Sequence, residues 1–174
     1  GVAGGDDARV ERVLDAMVEH PLPDGRFASF ARVRGATTAT WGALLCDTHA
    51  ITEVLLRYGR GADARVARAL DVMVEDLTDT PQGRAWPCRP DPASGFRGPG
   101  RKGDVCPQVT LEALRAWSWV PADRRPTEVL GAARVALAVW RGRAAAKPYM
   151  FGHGYQFKVV KWPTTWYDVM TVLD

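Results

Sequence analysis

Residues 7 to 20, DARVERVLDAMVEH, return almost unchanged as residues 63 to 76, DARVARALDVMVED, with ten of the fourteen positions identical. A match this close marks an internal repeat, and a chain of repeats buries its apolar faces by stacking one unit on the next. In the first copy Val10, Val13, Leu14, Met17 and Val18 fall at i, i+3, i+4, i+7 and i+8, one face of an amphipathic helix. Charged residues take the opposite face.

Each copy runs into a turn that ends on an aromatic residue, PLPDGRF at Phe27 and TPQGRAW at Trp86. An irregular polar stretch follows, and then a more apolar helical segment: WGALLCDTHAITEVLLRYG over 41–59 and CPQVTLEALRAWSWV over 106–120. A weaker third copy starts at Pro126, suited to the first turn of a helix, and runs through PTEVLGAARVALAVWRGR to about Arg143. A final apolar run begins at Trp166. The expected fold is therefore all-α, a single domain of three helical hairpins over about 6–59, 62–120 and 126–174, each with an amphipathic outer and an apolar inner helix. Val159 and Val160 could extend, but nothing pairs with them. Such an array stacks as an open solenoid or curls into a barrel.

The chain has 174 residues, enough for one domain with a real core, and 47% apolar against 25% charged residues is ordinary for a globular protein. A net charge of +3, with basic residues dispersed among acids, does not favour nucleic acid as a partner. The longest apolar stretch is broken by Arg134 and falls short of the roughly 20 residues that span a bilayer, so no membrane span is expected. Three cysteines cannot all pair, and their spacing is not that of a secreted disulfide scaffold, which points to a cytoplasmic location. The opening Gly and the helical pattern of the closing TVLD suggest a piece of something longer.

The cysteines stand near the starts of the inner segments. Cys46 and Cys106 each open one, Cys88 follows Trp86, and His49 lies three residues beyond Cys46, on the same helix face. Cys46, His49, Cys88 and Cys106 together would suit a closed tetrahedral zinc site, or an iron–sulfur cluster with one non-thiolate ligand. Equally, free cysteines serve as small core residues. In the stretch SGFRGPGRKGDVCP, residues 94–107, Arg97, Arg101 and Lys102 precede a helix start near Asp104, a combination that suits a bound anion such as a diphosphate. A solvated loop capped by Asp104 is the plainer alternative. Most of the seven tryptophans suit core filling, and some could line an apolar cavity.

The DGRF and QGRAW turns resemble the Gln-and-Trp repeats of the terpenoid cyclase and protein prenyltransferase superfamily, and GFRGPGRKGDVC is similar to the diphosphate and zinc segment of its prenyltransferase β-subunits. The resemblance implies half of an α/α toroid, closed by a missing half-ring or a second subunit. It further implies an isoprenoid diphosphate or other apolar small molecule as ligand, basic residues Arg97, Arg101 and Lys102 on the diphosphate, and zinc on Asp104 and Cys106. The family's third ligand, a histidine after tyrosine, has Asp168 in its place after Tyr167, and His153 in FGHGYQF could substitute. Pro99 stands where the family has an arginine, and the DxDD acid of protonating cyclases is missing from the chain. Two functions are thus expected: a metal-binding prenyltransferase-like or cyclase-like domain, or a non-catalytic helical-repeat interaction module stapled by a structural metal.

Overall fold

The computed structural model describes residues 7–32, 37–89 and 103–146. They are mostly helical, with a few short strands, in the order α1 (Ala8–Val18), β1 (Ser29–Ala31), β2 (Thr40–Gly42), α2 (Leu45–Arg57), α3 (Ala64–Glu75), β3 (Thr78–Thr80), β4 (Gly83–Ala85), α4 (Pro107–Ser118) and α5 (Thr127–Ala146). The third inner segment lies outside the described residues.

The repeated DAR tripeptide starts both copies of the repeated helix. Asp7 caps α1 by accepting from the Arg9 backbone N–H at 2.9 Å, and Asp63 caps α3 by accepting from the Arg65 N–H at 2.9 Å. Each arginine side chain then folds back on its own cap, Arg9 Nη2 to Asp7 and Arg65 Nη2 to Asp63, both at 2.6 Å. The repeat therefore encodes a helix start as well as an apolar face.

Past each repeated helix the chain reverses over a glycine in the left-handed region, Gly25 at φ 101° and Gly83 at φ 122°. Space as well as φ demands glycine here: a Cβ on Gly25 would lie 2.5 Å from Arg68 Cγ of α3, and one on Gly83 2.7 Å from Val135 Cγ2 of α5. Each turn thus lies against the next repeated helix. The reversal plants Phe27 and Trp86 in the core with no exposed surface.

Those buried aromatics fix where α2 and α4 begin. Thr48 Oγ1 donates to the Phe27 carbonyl and Thr110 Oγ1 to the Trp86 carbonyl, each at 3.2 Å, and each threonine is the fourth residue of its helix. Trp86 is held further by its indole N–H on the Met73 carbonyl at 2.7 Å. Helix α4 opens on Pro107, where the missing N–H costs nothing.

The expectation of a strand-free chain is corrected. β1 pairs antiparallel with β2, Ser29 opposite Gly42, and β3 with β4, Thr78 opposite Ala85. Three-residue strands are too short to show a period-two pattern in sequence. Pairing of Thr40–Gly42 also moves the start of α2 from 41 to Leu45.

Two apolar clusters hold these elements. One joins Leu14, Val18, Phe27, Leu55, Val66 and Ala69. The larger is centred on Trp86 and Met73 and takes in Val109, Ala113 and Trp117 of α4 with Val129 and Ala132 of α5. Helix α2 also buries a polar row, Thr48, His49 and Thr52, so the expected apolar inner helix is in fact partly polar at its packed face. Burial of these groups is partly compensated, because Thr52 Oγ1 donates to the Thr48 carbonyl at 2.7 Å and His49 Nδ1 to the Val109 carbonyl of α4 at 2.9 Å, while His49 Nε2 is buried with no partner in the protein. No described helix is long and apolar enough to cross a membrane.

Candidate functional site

The start of α4 is built on a short backbone pairing. Pro87 lies opposite Val105, and the Cys106 N–H donates to the Trp86 carbonyl at 2.9 Å. The Gln82 side chain latches the approach to the helix, donating to Asp104 Oδ1 at 3.4 Å and accepting from the Val105 N–H at 3.3 Å. Cys88 and Cys106 lie on the same side of this paired segment as neighbours. The adjacent Cys88 thiol, reinforced by burial, pushes the Cys106 thiol well above its ordinary range. Burial does the same to Cys46, reinforced by the nearby carboxylates of Asp47 and Glu112.

The four expected metal ligands are only partly gathered. Among the described residues no three His, Cys, Asp or Glu side chains are grouped as a metal ion would need. Cys88 and Cys106 meet, but Cys46 does not occupy the place equivalent to Cys106. It is the second residue of α2, whereas Cys106 is the residue that precedes α4. Two residues of helix are about 200° of rotation, enough to send one thiol to a different face. Cys46 Sγ instead lies 3.7 Å from Asp47 Oδ1.

His49 is committed elsewhere. A carbonyl can only accept, so Nδ1 carries the proton toward Val109, and the ring stands edge-on to Trp86 with 5.8 Å between centroids. Burial pushes its pKa down to about 4, so the ring is neutral. Arg97, Arg101, Lys102, His153 and Asp168 lie outside the described residues.

Two features escaped the sequence reading. Along α2 and α4 the half-buried residues Cys46, Glu53 and Arg57 face a matching row of Gln108, Glu112 and Arg115. Burial pushes Glu112 up to about 7, partly opposed by a hydrogen bond from Gln108 Nε2 at 3.2 Å, which leaves a carboxyl that exchanges its proton near neutral pH. At the far end of these helices, a cavity of about 600 Å³ opens between the last turns of α2 and α4 and the first turns of α5. The sequence signal for both was the helical spacing of polar residues within segments that otherwise read as core, Gln108, Glu112 and Arg115 at i, i+4 and i+7 in α4 and Glu53 and Arg57 at i and i+4 in α2. Compared with protein families, curated proteins and solved structures, the chain matches none.

Proposed function

We propose that this chain is a metal-binding domain of prenyltransferase or terpenoid cyclase type, half of an α/α toroid, that handles an isoprenoid diphosphate or another apolar ligand. The observation that carries the reading is the nearness of Cys88 and Cys106, brought together by the Pro87–Val105 backbone pairing at the start of α4. They stand on either side of the segment that contains Arg97, Arg101 and Lys102, so a metal on the two sulfurs would tie both ends of a basic loop. Two neighbouring thiols fit two positions of a tetrahedral zinc or iron site. The resemblance assigns a further ligand to Asp168, with His153 as its substitute.

A bound metal would supply a Lewis acid and hold both sulfurs as thiolates. The chain's own residues do the remaining work. Gln82 fixes Asp104 and Val105, and Trp86 fixes Cys106, so the metal-side thiols are positioned by the turn rather than by the metal. Because burial and the neighbouring thiol keep the Cys106 thiol protonated, metal uptake must release a proton there and should weaken as pH falls.

The reading is tested by titrating the protein with farnesyl diphosphate. Replacing Arg101 and Lys102 together by alanine should weaken binding at least about tenfold, the worth of one charge-assisted contact. Unchanged affinity would remove the diphosphate from the proposal.

A second reading, the non-catalytic interaction module with a structural metal, draws on one observation. Val13, Phe30 and Trp41 form an exposed apolar area on the α1 side of the molecule. A metal bound by four protein ligands would favour the module, and three ligands with an open position would favour catalysis.

A further inference from the structure

The 600 Å³ cavity lies at the opposite end of α4 from Cys106, roughly 16 Å along the helix for eleven residues. It is independent of the thiol site. Leu111, Leu114 and Trp117 of α4 form one wall and Val129, Leu130 and Ala133 of α5 another. Such a volume and such a lining are usual for a site that takes a small molecule.

The polar groups around it are mostly spent. Arg125 donates to the Ser118 and Val120 carbonyls at 2.9 and 2.8 Å, closing the end of α4. Glu53 accepts from the Trp119 indole at 3.0 Å, and Arg115 stands beside Glu112. Two donors are left over. The indole N–H of Trp117, a residue 6% exposed, and the Nε–H of Arg57 are both buried with no hydrogen-bond partner in the protein. A buried donor left unpaired costs about 1–3 kcal/mol, so one on each of two helices whose residues line the cavity calls for an acceptor. Helix ends of this polarity repel anions, but Arg57 and Arg115 stand in the last turns of α2 and α4 and reverse the local sign. With Arg125, three guanidinium groups line the cavity against the single carboxylate of Glu53.

We propose that this cavity binds a small organic acid, its carboxylate accepting from Trp117 Nε1 and Arg57 Nε and its apolar body lying on Leu111, Leu114 and Leu130. The acid could be aliphatic or aromatic, since the wall selects for apolar area alone.

The test is a titration of the full ¹⁵N-labelled chain with octanoate and with 3-phenylpropanoate, followed by NMR. The indole N–H resonance of Trp117, assigned by its loss in Trp117→Phe, should shift and saturate, with a Kd on the order of 0.1 mM. The more tightly bound acid identifies the body as a chain or a ring. The neutral amides, octanamide and 3-phenylpropanamide, should bind at least about tenfold more weakly. Arg57→Met, with an unchanged thermal transition, should weaken the acids by a similar factor. No saturable shift with either acid would overturn the proposal, whether protein or solvent satisfies the two donors. Equal binding of acid and amide, or an unaffected Arg57→Met, would overturn it too.

Discussion

Helices α1 and α3 carry nearly the same sequence and are buried differently. Val13 of α1 is 55% exposed, whereas its counterpart Ala69 in α3 is wholly buried. Ala16 is exposed where Val72 is buried, and Met17 is partly covered where Met73 is sealed beneath Trp86. The opposite face reverses the pattern: Leu14 and Val18 are buried against α3, while Leu70 and Val74 are only partly covered. One sequence thus makes two faces, and its position in the array decides which of them is used. Among the described residues α3 has neighbours on both sides and α1 on one, and Val13, Met17 and Trp41 line a shallow apolar depression.

Three of the four positions at which the copies differ follow the same division, and the fourth reverses it, Glu11 half-buried on Arg60 at 2.6 Å where Ala67 is exposed. His20 stacks on Trp41 at 3.8 Å near the surface. Its counterpart Asp76 is buried and paired with two arginines, Arg26 from the preceding turn and Arg89 at 3.2 Å. Burial still leaves the Asp76 carboxyl above its ordinary pKa, against the pull of both guanidinium groups. Ala69 where α1 has Val13 is the smaller residue at the crowded place, as close packing requires.

The largest test of this contrast is a charge placed at the matched position. Ala69→Asp should abolish cooperative folding, because it buries an unpaired carboxylate, whereas Val13→Asp should change stability by less than about 0.5 kcal/mol in chemical denaturation. Equal effects would break the comparison. Next, Met73→Ala should cost about 3 kcal/mol and Met17→Ala about 1 kcal/mol, the difference reflecting a cavity that α3 cannot relax and α1 can.

The inner helices offer a smaller effect, read through pH. Glu112 of α4 is raised to about 7, so the folded protein holds a proton that the unfolded chain releases above its ordinary value of 4.5. Stability from this group is therefore full below pH 4.5 and lost as pH rises through 7. His49 of α2, lowered to about 4 from 6.5, works in the other sense: its contribution is complete above pH 6.5 and is lost as pH falls toward 4. Glu112→Gln should then stabilise the protein by about 3 kcal/mol at pH 8 and by nothing at pH 4, measured by urea unfolding at both values. A constant difference would place Glu112 in water.

The smallest effect belongs to the caps. Asp63→Ala should cost about 1 kcal/mol, and the equivalent change at Asp7, on the less enclosed helix, should lower the melting temperature by less. Arg65, bonded to the Asp63 side chain, holds that carboxyl down to about 2 from 3.8, so the cap's contribution should be complete above pH 3.8 and be lost as pH falls through 2.

The helices were legible because their apolar stripes recur with helical spacing in α1 and α3, and because the repeat supplies its own cross-check. The role of DAR as a self-clasped cap and of Thr48 and Thr110 as anchors on the aromatic turns was not legible, since single polar residues carry no period. Cys46 was misplaced for a similar reason. Its nearness to a helix start is visible in sequence, but the two-residue offset from Cys106 is set by β2, whose three residues left no pattern. Spacing alone does not single out Glu112 and Arg57, and only packing of α2 on α4 makes them half-buried groups.

The central claim is that Cys88 and Cys106 hold a metal. Elemental analysis of the intact chain, purified without affinity metal and dialysed, should find about one zinc or iron per chain at pH 8. The same assay on Cys106→Ser should find almost none, with the fold retained by circular dichroism. Metal-free wild-type protein that is fully folded and takes up no zinc on titration would contradict the account.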